Sequence, residues 1–266
     1  MSLKCEAREM FMMRKSLSTA LAAGCFSFCL AASAQQPVAP ADASAPAAPA
    51  ETKELTHLHG IVNDFGGLKR YAAANAALAP DVKGRVVFYG DSITDGWPIN
   101  GGTYFPGKPY VNRGISGQTT PQMLVRFRQD VIDLHPAAVL ILAGTNDIAG
   151  NTGPSTLEMI EDNFRSMAEL AKANHIRVIL ASTTPAFDYP WRRGLEPAPK
   201  IQALNQWLAQ YAAEQKFTYL DYYTSMAGPD GGMKPGISKD GVHPNAAGYA
   251  IMEPLAEKAI EDTLRK

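Results

Sequence analysis

Three side chains in this sequence are of the types that together activate an alcohol for attack on a carbonyl. Ser92 stands in "VVFYGDSITDGW" (86–97), where an apolar run stops at Gly90. Asp240 and His243 stand three apart in "DGVHP" (240–244). A serine hydroxyl is a poor nucleophile until a base takes its proton, which histidine does best near neutral pH. The imidazole in turn needs a carboxylate that fixes its tautomer and stabilises its cation. On one turn, Asp240 can face one ring nitrogen of His243 and leave the other for Ser92. A tetrahedral intermediate also needs donors for its oxyanion. The candidates are the Ser92 backbone N–H, the Gly117 N–H in "SGQTT" and the Asn146 side-chain amide in "GTND". Gly117 suits the role because no side chain keeps a ligand from its N–H.

Gly, Asp and Ser are also ordinary turn formers, so Ser92 by itself reads first as a strand-to-loop transition. The elements around it decide. "RVVFYG" (85–90), "YVNRGI" (110–115), "AAVLILAG" (137–144), "IRVILAS" (176–182) and "FTYLD" (217–221) read as strands. The third is apolar throughout, as a strand buried on both faces should be. Helical patterns occupy 119–134, 155–174, 197–215 and 244–264, the last with Pro244 in its first turn, and 55–79 reads as a helical lead-in. This alternation predicts a parallel sheet with helices on both sides. In such a sheet ligands bind beyond the carboxyl ends of the strands. Ser92 follows strand one, Gly117 strand two and Asn146 strand three, while Asp240 and His243 fall between the last strand and the last helix. All five converge on one edge, which a chance turn serine would not produce.

In chain order, "GDSIT", "NRGISGQTT", "GTNDI" and "DGVHP" resemble the four sequence blocks of the SGNH hydrolases, also called GDSL esterases and lipases. The resemblance runs from residue 85 to about residue 250. It implies an α/β fold of the flavodoxin-like kind: a three-layer α/β/α sandwich on a five-stranded parallel sheet. It also implies hydrolysis of carboxylic esters with no metal and no cofactor. Carried over by position, Ser92 would be the nucleophile, His243 the general base and Asp240 its orienting acid, with Gly117 and Asn146 as oxyanion donors. Ile93 replaces the leucine of the family's name, a conservative apolar change. The G-x-S-x-G elbow of ordinary α/β-hydrolases is absent.

Two loops at the predicted edge carry aromatics: "GWPINGGTYFPGKPY" (96–110), with Trp97 and Tyr104, and "TTPAFDYPWRRG" (183–194), with Phe187, Tyr189 and Trp191. These five are the candidate substrate-binding residues, a wall for an acyl chain or a stacking surface for a sugar. No long apolar lid segment is evident, which favours a short acyl group, acetyl first. Asp91 and Asp147 read as acceptors that tie their loops together. Asp91 with Asp95 also has the look of a glycosidase pair, with nothing else in support, and His57 and His59 lack a third metal ligand.

The first 34 residues differ from the rest. Lys4, Arg8, Arg14 and Lys15 precede the small and apolar "SLSTALAAGCFSFCLAASA", which ends in an A-x-A site at Ala34. This predicts a signal peptide over 1–34 and an exported protein, periplasmic or extracellular, with no membrane insertion after processing. Lipoprotein anchoring at Cys25 is the alternative. Residues 35–51 hold "PVAPADASAPAAPA" and read as an extended linker, leaving 52–266 as the hydrolase domain. Residues 1–34 contain Cys5, Cys25 and Cys29, the only cysteines of the chain, so the processed protein would have no disulfide. The full chain of 266 residues is 46% hydrophobic with a net charge of −1, which gives no electrostatic footprint for nucleic acid.

The expected partner is thus a small-molecule or carbohydrate ester. A secreted esterase for short acyl chains is the leading reading. A carbohydrate O-deacetylase would use the same residues, and a catalytically silent carbohydrate-binding module would have lost one of them. A nucleotide-binding protein of the same fold would need a G-x-x-x-x-G-K-[ST] phosphate loop, which the sequence lacks.

Overall fold

Five short runs build the sheet, and the uninterrupted burial of the first and third follows from helices covering both faces. β1 (Val86–Gly90), β2 (Tyr110–Gly114), β3 (Ala138–Leu142), β4 (Arg177–Ala181) and β5 (Thr218–Leu220) pair in the order β2-β1-β3-β4-β5, every neighbour parallel. The computed structural model describes residues 52–266 except Asp81, Gly101 and Thr103. The expected signal peptide, its Cys25 and the linker lie outside the described residues.

The helices follow in chain order: α1 (Lys53–Asn63), α2 (Ala72–Ala76), α3 (Ser92–Asp95), α4 (Thr120–Asp130), α5 (Thr145–Ile148), α6 (Leu157–Ala173), α7 (Pro197–Gln215), α8 (Tyr223–Met226) and α9 (Ala246–Arg265). Side chains alternate across each strand. Val87, Tyr89, Val139, Ile141, Val178 and Leu180 face one way, against Met123 and Phe127 of α4, Phe164 of α6 and Leu204 of α7. Phe88, Leu140, Ile179 and Ala181 face the other way, against Tyr249, Met252 and Ile260 of α9. The predicted three-layer α/β/α sandwich is therefore present. No helix among the described residues is long and apolar enough to cross a membrane.

Local chemistry corrects three boundaries. The lead-in at 55–79 is two helices, because Asp64 accepts the N–H groups of Leu68 (2.8 Å) and Lys69 (3.0 Å) and turns the chain. The pattern at 119–134 divides into α4 and a 3-10 turn at Ile132–Leu134, which His135 closes in the left-handed conformation. Pro244 precedes the last helix instead of entering it. Asn245 is the cap, accepting from Ala247 (2.9 Å) and Gly248 (3.1 Å).

Two features hold the carboxyl edge of the sheet where the site lies. Buried Arg126 on α4 donates to the carbonyls of Gly90 (3.0 Å) and Arg113 (2.9 Å), joining the ends of β1 and β2. Its charge is balanced by Asp130 at 3.1 Å, equally buried. At the end of β2, Gly114 lets α3 come close: an added Cβ would meet Asp95 N and stand 2.7 Å from Asp95 Cα.

Candidate active site

Ser92 is the first residue of α3, immediately beyond β1, and buried Asp91 caps that helix by accepting the Ile93 N–H at 2.9 Å. The Ser92 hydroxyl lies 3.0 Å from His243 Nε2, although the two are 151 positions apart in sequence. His243 Nδ1 lies 2.7 Å from Asp240 Oδ2. A carboxylate can only accept here, so Nδ1 carries the proton and Nε2 is free to accept from Ser92. The other Asp240 oxygen accepts the N–H groups of Val242 (3.0 Å) and His243 (2.8 Å). Burial opposes ionisation of Asp240, but these N–H groups and the imidazole outweigh it and hold the carboxyl below its usual range. Ser238 braces the turn, donating to the His243 carbonyl at 2.8 Å and accepting the Gly241 N–H at 2.9 Å.

The other predicted residues arrive from neighbouring strand ends. Gly117 has φ +79° in the loop between β2 and α4, a conformation that favours glycine. Asn146, buried in α5, donates from Nδ2 to the Gln118 carbonyl at 3.0 Å and to Asp91 Oδ2 at 3.3 Å. The second contact is the longer of the two. Burial pushes the Asp91 carboxyl up to about 6, against the pull of the Ile93 N–H and of His243. Asp147 ties α5 to the start of α4, accepting the Thr120 N–H at 3.0 Å and its hydroxyl at 2.6 Å, and burial pushes its carboxyl up to about 7. Ser92, Gly117, Asn146 and His243 together line a cleft of about 440 Å³.

Of the five aromatics expected to bind substrate, the structure brings only Trp191 to this cleft. Its ring is 45% exposed, with its centroid 5.9 Å from that of His243. Trp97 is 1% exposed, packed among Phe88, Phe105 and Tyr249 in the core beneath the edge. The half-buried Tyr104 joins the same cluster, 5.5 Å from Phe88. Tyr189 is buried, stacked 5.1 Å from Trp191, with its hydroxyl on Thr145 at 3.0 Å. Phe187 is exposed in a separate depression reached by Asp240. For Trp97, Tyr104 and Tyr189 the physical cause is that a large aromatic in a loop gains most by anchoring that loop to the core, while Phe187 stays exposed and faces another depression.

Sequence reasoning passed over Asn151 and weighed Asp95 only as half of a glycosidase pair, yet both complete the cleft. Asp95 accepts from the Ser116 N–H (3.2 Å) and hydroxyl (2.7 Å), and Asn151 donates to the Gly117 carbonyl (3.1 Å) and to Asn146 Oδ1 (2.9 Å). Their position at the carboxyl edge, Asp95 ending α3 and Asn151 just beyond α5, was the available signal. Among the described residues no three His, Cys, Asp or Glu side chains gather to hold a metal ion.

Comparison with known proteins places this arrangement. The profile of the GDSL-like Lipase/Acylhydrolase family matches residues 88–251, which include every residue of the Ser92–His243–Asp240 chain. A GDSL-like lipase of Bacteroides thetaiotaomicron of known structure is 51% identical, with a TM-score of 0.72 over 74% of this chain and 98% of that one. The esterase TesA of Pseudomonas aeruginosa is 29% identical over 137 residues, 52% of this chain. The chain spans 62% of that esterase's length.

Proposed function

Because the chain belongs to the GDSL-like Lipase/Acylhydrolase family, we propose that it is a serine esterase that hydrolyses short-chain carboxylic esters through an acyl-enzyme. The carrying observation is the unbroken hydrogen-bonded chain from Ser92 through His243 to Asp240, opening on the cleft. Ser92 Oγ attacks the ester carbonyl as its proton passes to His243 Nε2. Asp240 stabilises the imidazolium without taking its proton. The oxyanion rests on the N–H groups of Ser92 and Gly117 and on the Asn146 amide. The ester C–O bond then breaks, and the departing alkoxide takes the proton from His243. Water repeats the sequence on the acyl-enzyme: His243 removes its proton, and Ser92 leaves with that proton restored.

The preference for short acyl groups, acetyl first, rests on the sequence, which shows no long apolar lid segment. One observation favours a carbohydrate as the alcohol: Trp191 offers a half-exposed flat ring beside His243, where the leaving alcohol takes its proton. Export after cleavage at Ala34 is part of the same proposal, and rests on the composition of residues 1–34.

Hydrolysis of p-nitrophenyl acetate, butyrate and octanoate by the purified chain, beside Ser92→Ala, tests the reading. The expected result is turnover falling from the short esters to octanoate, and none above background in the variant. Equal activity in the two proteins would remove Ser92 from the mechanism.

A further inference from the structure

Asn151 lies just beyond α5, at the meeting point of three loops. A side-chain amide has two donor hydrogens and one acceptor oxygen, and each is engaged with a different segment. One hydrogen goes to the Gly117 carbonyl (3.1 Å), in the loop after β2. The other goes to Asn146 Oδ1 (2.9 Å), in the helix after β3. The oxygen accepts the indole N–H of Trp191 (3.3 Å), in the loop after β4. The Asn151 backbone N–H also bonds the Asn146 carbonyl at 3.0 Å, so the side chain starts from a fixed point. The same two loops are joined again by Arg192, whose Nη1 donates to the carbonyls of Ala149 and Gly150, both at 2.7 Å.

These contacts fall on the two groups that the proposed mechanism needs as oxyanion donors besides Ser92. An asparagine amide can sit either way round, with donor and acceptor exchanged. Asn146 is fixed because Asn151 presents a donor on one side, while Asp91 and the Gln118 carbonyl present acceptors on the other. Nδ2 is thereby held toward Asp91, the residue before Ser92, and the Gln118 carbonyl. The bond to the Gly117 carbonyl likewise restrains the peptide plane next to the Gly117 N–H.

We propose that Asn151 is a positioning residue, which holds Gly117 and Asn146 in register as oxyanion donors and couples that register to Trp191 at the cleft mouth. The inference rests on the esterase reading above. A substrate that leans on Trp191 would pull on Asn151 Oδ1, so occupancy of the mouth and alignment of the donors become one event.

The test compares the full chain with Asn151→Ala, Trp191→Phe and the double variant on p-nitrophenyl acetate. A separate aliquot of each preparation is titrated to completion with a fluorophosphonate, so that kcat can be referred to reactive serine alone. Loss of an entire donor costs about 100- to 1,000-fold, so a loosened pair should cost Asn151→Ala about 10- to 30-fold in kcat, with KM within about twofold. Fluorophosphonate labelling should slow by a similar factor, since its phosphoryl oxygen uses the same donors. Trp191→Phe, which keeps a ring and removes the N–H, should lower kcat alone and add nothing in the Asn151→Ala background. Unchanged kcat per titrated site in Asn151→Ala overturns the proposal, as does a Trp191→Phe effect that persists in full in the double variant. A loss confined to the titratable fraction, with lowered Tm, would make Asn151 a loop anchor and overturns it too. If the unmodified chain shows no hydrolysis or labelling that depends on Ser92, the esterase reading fails and takes this inference with it.

Discussion

Asp91 and Asp147 are carboxylates enclosed beside the site, each raised by burial well above an ordinary aspartate. For Asp147 the raised value, about 7, means that the folded protein holds a proton which the unfolded chain has released. Stability from this residue is therefore greatest in acid and declines as pH rises from about 4 to about 7. Asp147→Asn removes the titration and keeps an acceptor for the Thr120 N–H. The difference in stability between variant and native chain should move in the variant's favour between pH 4 and pH 8, by on the order of 1–3 kcal/mol. Thermal melts of both proteins at pH 4, 6 and 8 read this directly. A difference that does not change with pH would mean Asp147 stays ionised throughout, held by its three contacts with Thr120. Asp240 has the opposite sign: its depressed carboxyl stays charged into acid, so His243 keeps its partner there.

At the scale of the element, the site depends on how near α3 can come to the end of β2. Gly114→Ala would set a methyl group against the Asp95 backbone, which cannot rotate away as a side chain would. Overpacking of this kind costs about 1–3 kcal/mol, and the strain falls on the helix that begins with Ser92. The variant should melt earlier and lose activity per folded molecule, measured by urea denaturation and ester hydrolysis side by side. Loss of stability with full activity would show that α3 shifts as a unit and carries Ser92 with it. Element types were legible because β-branched and apolar runs alternated with amphipathic stretches, and because glycines and aspartates marked the strand ends. The meeting of Ser92, Asp240 and His243 at one edge was legible for the same reason. The short helices α3, α5 and α8 were not, since four residues are too few to show a period. Nor was the burial of Trp97 and Tyr189, because composition tells that a loop is aromatic but not which way each ring turns. Asn151 escaped notice because its importance lies in three partners from three separate loops.

For the whole molecule, the distribution of cysteine makes a prediction. Cys5, Cys25 and Cys29 all precede Ala34, so a chain cleaved there carries no thiol. The exported product should have Gln35 at its amino end, and its Tm should be the same with and without dithiothreitol. Edman sequencing or intact mass would establish the first, and a lipid-modified Cys25 would overturn it. The two-faced core of the sheet then has to stabilise the domain unaided, which a domain of this length can manage. The separation of Ser92 from His243 by 151 positions has a consequence in time. At about 5–20 residues per second of synthesis, roughly 8–30 s pass between the appearance of Ser92 and that of His243. Throughout that interval the growing chain displays an alcohol no more reactive than any other. On the esterase reading proposed above, hydrolysis can begin only once folding has brought Ser92 and His243 together, so completion of folding would act as the starting signal.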